Sequence, residues 1–149
     1  MAPVKKSSAA WILYTDGASK GNPGPAGAGW VLKDVAKGKT YREGSFLGEA
    51  TNNEAEYQAL ILGLQRALEY GAADLAIYLD SELLVRQLNG VYRVKNPHLL
   101  AYYRRVQELL KKFATYAIIH IPREANEEAD RMANEALKNS NPFRAQGSE

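Results

Sequence analysis

The chain has 149 residues, of which 46% are hydrophobic and 24% charged. That is the balance of one ordinary globular domain, not of a disordered or fibrous chain. There is no cysteine, which excludes disulfides, cysteine–zinc sites and thiol nucleophiles and suits a reducing, cytoplasmic setting. The net charge of +2 is too mild to announce a nucleic-acid partner by itself, and no apolar run approaches the length of a membrane span.

Residues 1–8, with Lys5 and Lys6, read as a flexible arm. Residues 10–15 form a short apolar run rich in β-formers and bounded by Asp16-Gly17, which predicts a buried strand. Gly21-Asn22-Pro23-Gly24-Pro25 forces a loop. A second strand is expected over 27–32, a polar turn holding Gly38 over 33–39, and a third strand over 40–47. The links are short, so these three strands should form an antiparallel meander.

From residue 52 the period changes. Ala55, Ala59, Leu60, Leu64 and Leu68 recur at three- and four-residue steps, which predicts an amphipathic helix over 52–70, capped by Thr51 or Asn52 and stopped by Gly71. A strand follows over 75–79, a short helix over 81–88, a helix opened by Pro97 and running to about Phe113, a strand over 116–121 closed by Pro122, and a last helix over 126–138. The polar tail, 139–149, includes Pro142 and Phe143 and reads as flexible. Helical links in the second half call for parallel strands. The expected fold is α/β: a five-stranded mixed sheet, three strands antiparallel and the rest parallel, with helices on both faces and the domain spanning 9–138.

Charge is unevenly distributed. Between Arg86 and Lys112 stand Arg86, Arg93, Lys95, Arg104, Arg105, Lys111 and Lys112 against only Glu108. The block suits either a phosphate-facing surface or a solvated helix face.

Four acids occupy telling places. Asp16 and Asp80 end the first and fourth predicted strands, where functional groups of α/β sheets gather. Glu56 and Asp130 lie in early turns of helices, beside apolar positions, where a carboxylate is costly to bury without a positive partner; a bound cation is the simplest one. Each has a structural alternative: a turn at Asp16-Gly17, a helix cap at Asp80-Ser81, a rim acid at Glu56, a pairing of Asp130 with Arg123 or Arg131.

Tyr14-Thr15-Asp16-Gly17-Ala18, Gly21-Asn22-Pro23-Gly24 and Gly27-Ala28-Gly29, then Thr51-Asn52-Asn53-Glu54-Ala55-Glu56, Leu79-Asp80-Ser81 with Val85 and Asn89-Gly90, and Asn126-Glu127-Glu128-Ala129-Asp130 with Ala133 together resemble the four motifs of type 1 ribonucleases H. The resemblance covers about residues 10–138 and is closest to a compact, archaeal-like pattern. It implies hydrolysis of the RNA strand of RNA/DNA hybrids, leaving 5′-phosphate and 3′-hydroxyl ends. The implied catalytic and metal-holding set is Asp16, Glu56, Asp80 and Asp130, with two Mg²⁺ or Mn²⁺ ions. Glu56 is preferred to Glu54 because the resemblance puts the catalytic Glu directly after the small or apolar residue, here Ala55; on a helix Glu54 would also be turned about 200° away and face solvent. Asn22, Asn52 and Asn53 are the implied contacts to the RNA strand, with Thr51 on phosphate and Arg123 and Lys95 as further substrate contacts. The hybrid is the implied partner, and a monomer with no membrane association is expected.

The chain also departs from the pattern. The link 122–125 holds no histidine; His120 has a suitable spacing from Asp130 but falls in a predicted strand, and Arg123 is the candidate in its place. The long basic protrusion is absent, with Tyr92, Arg93 and Lys95 as partial substitutes. Glu49 stands where members with a DNA-phosphate pocket carry arginine, so discrimination against double-stranded RNA is expected to be weaker. Competing readings are another nuclease or recombinase of the same fold, a non-catalytic hybrid-binding module, and a domain of a larger polyprotein.

Overall fold

Three strands, β1 (Trp11–Ser19), β2 (Gly24–Asp34) and β3 (Lys39–Ala50), form an antiparallel meander at one side of a single sheet. The structure is a computed structural model and describes residues 9–139; the arm at 1–8 and the tail beyond 139 expected from the sequence lie outside the described residues. Helix α1 (Asn52–Glu69) then crosses to β4 (Asp74–Leu79), and α2 (Glu82–Leu88) and α3 (Pro97–Leu110) lead to β5 (Thr115–His120). A 3-10 turn at Arg123–Asn126 feeds α4 (Glu127–Asn139), which begins and ends one residue later than expected. The sheet order is β3-β2-β1-β4-β5, with β1–β4 and β4–β5 parallel. This is the predicted five-stranded mixed sheet.

The sheet's two faces are covered differently. On one, α1 packs over β1 and β2, and α3 packs on α1. Leu13, Leu60, Leu64, Leu75, Ile77 and Val106 are fully buried there. On the other face α4 lies across β2, β3 and β1 and meets glycines. A Cβ on Gly29 would stand 2.2 Å from the Ala129 carbonyl oxygen, and one on Gly17, at the α1 side, 2.2 Å from the Ala55 carbonyl carbon. Backbone therefore rests on backbone at both places, a contact only glycine permits.

Two strand ends differ from expectation. The first strand does not end at Asp16. Its parallel ladder with β4 stops at Tyr14 opposite Tyr78, but its antiparallel ladder with β2 continues through Gly17, Ala18 and Ser19. Pairing with β2 overrides the local turn signal of Asp-Gly. In the same way β3 runs on to Ala50, past the expected stop at Leu47, because β2 supplies partners from Gly24 onward. No helix among the described residues is long and apolar enough to cross a membrane.

Candidate active site

The parallel pairing of β1 and β4 carries Asp16 and Asp80 to the same end of the sheet, Asp80 standing directly after Leu79, the last residue of β4. Ser81, not Asp80, caps α2: its side chain accepts from the Leu84 N–H at 3.2 Å. The Asp80 carboxylate is thereby left available. Glu56 enters from α1. That helix starts with a capping box in which Thr51 Oγ1 accepts from the Glu54 N–H at 3.1 Å and Glu54 Oε1 accepts from the Thr51 N–H at 2.9 Å. Glu54 is thus a partly buried capping residue, not the solvent-facing side chain expected; the reciprocal bond holds it at the helix start.

One carboxylate oxygen from each of Asp16, Glu56 and Asp80 lies within 4.8 Å of the others. Asp130, in the first turn of α4, is outside this tight triad but lines the same cleft. The cleft has a volume of about 390 Å³ and is also lined by Ser19, Asn52, Arg123 and Asn134. Asp16 is only 5% exposed. Burial, then the Glu56 charge, hydrogen bonding with Asp130, and the charges of Asp80 and Asp130 push its carboxyl up to about 10. Burial and the Asp80 charge push Glu56 up to about 8, against the opposing influence of the Gly17 N–H, Asp16 and Arg123. The Gly17 N–H donates to Glu56 Oε1 at 3.2 Å. Clustered acids in this state ionise together only when positive charge is supplied. Apart from the Arg123 guanidinium, the charged groups of the lining are carboxylates, and the lining holds no sulfur or imidazole; the carboxylates are a set that fits a hard divalent cation.

The other residues singled out in the sequence divide. Asn52 lines the cleft, but Thr51 is the cap of α1, and the Asn52 N–H donates instead to Asn22 Oδ1 at 3.0 Å. Asn22 and Asn53 are exposed nearby in the chain but do not line the cleft. Arg123 does line it and forms no ion pair with Glu127 or Asp130 among the described residues. His120 is the exposed last residue of β5 and Lys95 an exposed residue of the α2–α3 link; neither lines the cleft. Glu49 is exposed on β3 opposite Pro25. The basic block is partly neutralised, Arg86 pairing with Glu82 and Arg105 with Glu108.

Two polar residues at the site were not singled out. Asn134 Nδ2 donates to the Asp130 carbonyl at 2.9 Å and to Asp130 Oδ1 at 3.2 Å; its i+4 spacing from Asp130 was the available signal. Asn126, read as a helix start and quoted within the fourth motif but given no role at the site, is buried and donates to Asp80 Oδ2 at 2.9 Å. Its partner is 46 residues away, so no local signal could have revealed the bond.

The family described as reverse transcriptase-like matches residues 14–136. Ribonuclease HI of Halobacterium salinarum is 47% identical over 124 residues, covering 83% of this chain and 62% of the relative; the chain therefore spans less than two thirds of that protein's length. The crystal structure of RNase H1 from the same archaeon superposes with a TM-score of 0.84 at 44% identity, over 87% of this chain and 98% of that one. LC11-RNase H1, solved in complex with an RNA/DNA hybrid, matches with a TM-score of 0.81 at 40% identity, over 87% and 98% of the two chains. Motifs, topology, acidic cleft and relatives agree, and the chain belongs to the type 1 ribonuclease H family.

Proposed function

We propose that the protein is an endoribonuclease that hydrolyses the RNA strand of RNA/DNA hybrids and leaves 5′-phosphate and 3′-hydroxyl ends. The observation that carries this reading is the meeting of Asp16, Glu56 and Asp80 within 4.8 Å in a chain similar to a ribonuclease H solved on a hybrid.

Asp16, Glu56, Asp80 and Asp130 are the residues that would hold two Mg²⁺ or Mn²⁺ ions. Such ions, when bound, supply activation of the attacking water and stabilisation of the leaving 3′ oxygen. Asp16, on which the charges of all three other acids act, would be the central carboxylate of the metal-holding set. The raised proton affinity of Asp16 and Glu56 means that binding metal displaces protons from the cluster. Arg123, at the mouth of the acid group, is suited to a phosphate oxygen or to easing product departure. Asn52 offers an amide that both donates and accepts, as recognition of a 2′-hydroxyl requires. Asn22 supports Asn52 through its backbone; with Asn53 and Thr51 it borders the path of the RNA strand. Lys95 is a more distant phosphate contact. The active species is read as a cytoplasmic monomer.

The test is incubation of end-labelled hybrid, single-stranded RNA, double-stranded RNA and double-stranded DNA with Mg²⁺, Mn²⁺ or a chelator, beside an Asp80→Asn control. Metal-dependent cutting of the hybrid's RNA, abolished by the substitution, is the expected result. Cutting of double-stranded RNA as well would implicate Glu49. Binding without cutting under every metal would replace the enzyme by a hybrid-binding module.

A further inference from the structure

The buried amide of Asn126 sits where three parts of the site converge. Its residue is 1% exposed. Its Nδ2 donates to the Thr15 carbonyl at 2.9 Å and to Asp80 Oδ2 at 2.9 Å. Thr15 immediately precedes Asp16 on β1, Asp80 follows β4, and Asn126 itself ends the 3-10 turn that opens α4, four residues before Asp130. One NH₂ group thus joins the backbone of β1, the carboxylate of β4 and the entry to α4. The amide orientation follows from the partners: both are acceptors, so reversing the amide would set its oxygen against two oxygens. The arrangement has a cost. Asn126 Oδ1 is buried without a hydrogen-bond partner among the described residues, beside a small cavity of about 110 Å³ bordered by Tyr14, Lys33 and Ala129. A polar side chain buried with an unmatched acceptor is poor as core packing. It is intelligible if both donors are needed where they are.

We infer that Asn126 is a positioning residue for the metal-holding carboxylates: it aims Asp80 and ties β1, at the residue before Asp16, to the start of α4, so that Asp16, Asp80 and Asp130 face one centre. Both of its donors are committed to protein acceptors, so it acts through Asp80 and needs no contact with substrate. The inference rests on the metal-dependent reading of the acid cluster and adds a residue outside the four carboxylates. Loss of an outer partner of a metal ligand typically lowers metal affinity or activity about 10–100-fold.

The test is Asn126→Leu, close in size but without donors, beside Asn126→Asp, which keeps the shape, and Thr115→Val. The last removes a 2.7 Å hydrogen bond to Asp74 at the opposite end of β4 and β5 and serves as a stability control. Mg²⁺ and Mn²⁺ binding is measured by calorimetry, and hybrid cleavage by the metal concentration giving half-maximal rate. Both Asn126 variants should need about tenfold or more additional metal, with kcat reduced and KM for the hybrid little changed. Thr115→Val should lose stability and leave the metal midpoint in place. Variants that fold and bind metal as the unmodified protein does would overturn the inference. If neither variant folds, the unmodified protein decides: the Asn126 side-chain amide resonances should move as Mg²⁺ is added, and amides unmoved at saturation would overturn it. A protein that binds metal through an Asn126-dependent site but cuts no hybrid would sink the proposed activity alone.

Discussion

The two faces of the sheet are built on opposite principles. Between α1 and the sheet lie large apolar side chains, Leu60 and Leu64 from the helix and Leu13 and Ile77 from the strands, which bury area and supply stability. Beneath α4 lie Gly27, Gly29 and Gly44, each so close to the helix backbone that a Cβ would fall 2.2–2.3 Å from a carbonyl oxygen. The α1 face holds the domain together; the α4 face sets a distance. Each helix that brings an acid also has a sheet glycine beneath that turn, Gly17 under Ala55 and Glu56, and Gly29 under Ala129. Gly17 follows Asp16, and Gly29 is the residue opposite Asp16 on β2. The spacing of the carboxylates is therefore a backbone-to-backbone spacing, stiffer than one carried by side chains that can change rotamer.

Large-to-small and small-to-large substitutions should separate these roles. Leu64→Ala, at a fully buried position, should cost about 2–5 kcal/mol in denaturant unfolding, with cleavage per folded molecule nearly unchanged. Gly29→Ala should also cost stability, at least about 1–3 kcal/mol of overpacking because its Cβ would meet the Ala129 carbonyl oxygen at 2.2 Å, and should lower cleavage per folded molecule more than Leu64→Ala, because α4 and Asp130 must move away from Asp16. Equal activity in these two variants at matched folded fraction would contradict the division of labour.

A third substitution should raise stability. Asp16 holds its proton up to about pH 10 in the folded chain against an ordinary 3.8. The folded state therefore binds protons more tightly, and its advantage is complete below about pH 4 and lost as pH rises toward 10. In chelator at pH 8, Asp16→Asn should gain on the order of 2 kcal/mol over the unmodified protein. The gap should shrink at pH 4 and close when Mg²⁺ stabilises the unmodified chain. A gap unchanged by pH and metal would show that charge repulsion in the cluster is not its source. The smallest effect is expected at the start of α1: Thr51→Ala removes the capping box and should cost about 1 kcal/mol, read as a lowered Tm with Glu56 less firmly placed.

The acids and their elements were legible in the residues because those signals are local. Strand runs ending near Asp16 and Asp80, and the three- and four-residue steps beside Glu56 and Asp130, are patterns within a dozen positions. The choice of Glu56 over Glu54 rested on the family's pattern, in which the acid directly follows the small residue that is Ala55 here; helical geometry alone put Glu54 in solvent, whereas it is a cap. The strand ends failed where partners decided them: residues 17–19 and 48–50 stay in the sheet because β2 offers ladder sites, which no window around Asp-Gly can contain.

By itself the sequence determined the order of elements, the division into an antiparallel half and a parallel half, and which acids follow the apolar runs of strands or stand in the early turns of helices, since periodicity and turn chemistry act over neighbouring residues. Only the tertiary structure decided how close those acids come, which of them form the tight triad, that Asn126 bridges Thr15 and Asp80 across 111 and 46 residues, and that glycines seat both acid-bearing helices. These are contacts between distant segments, and their geometry exists only once packing and hydrogen bonding have chosen one arrangement of the whole chain.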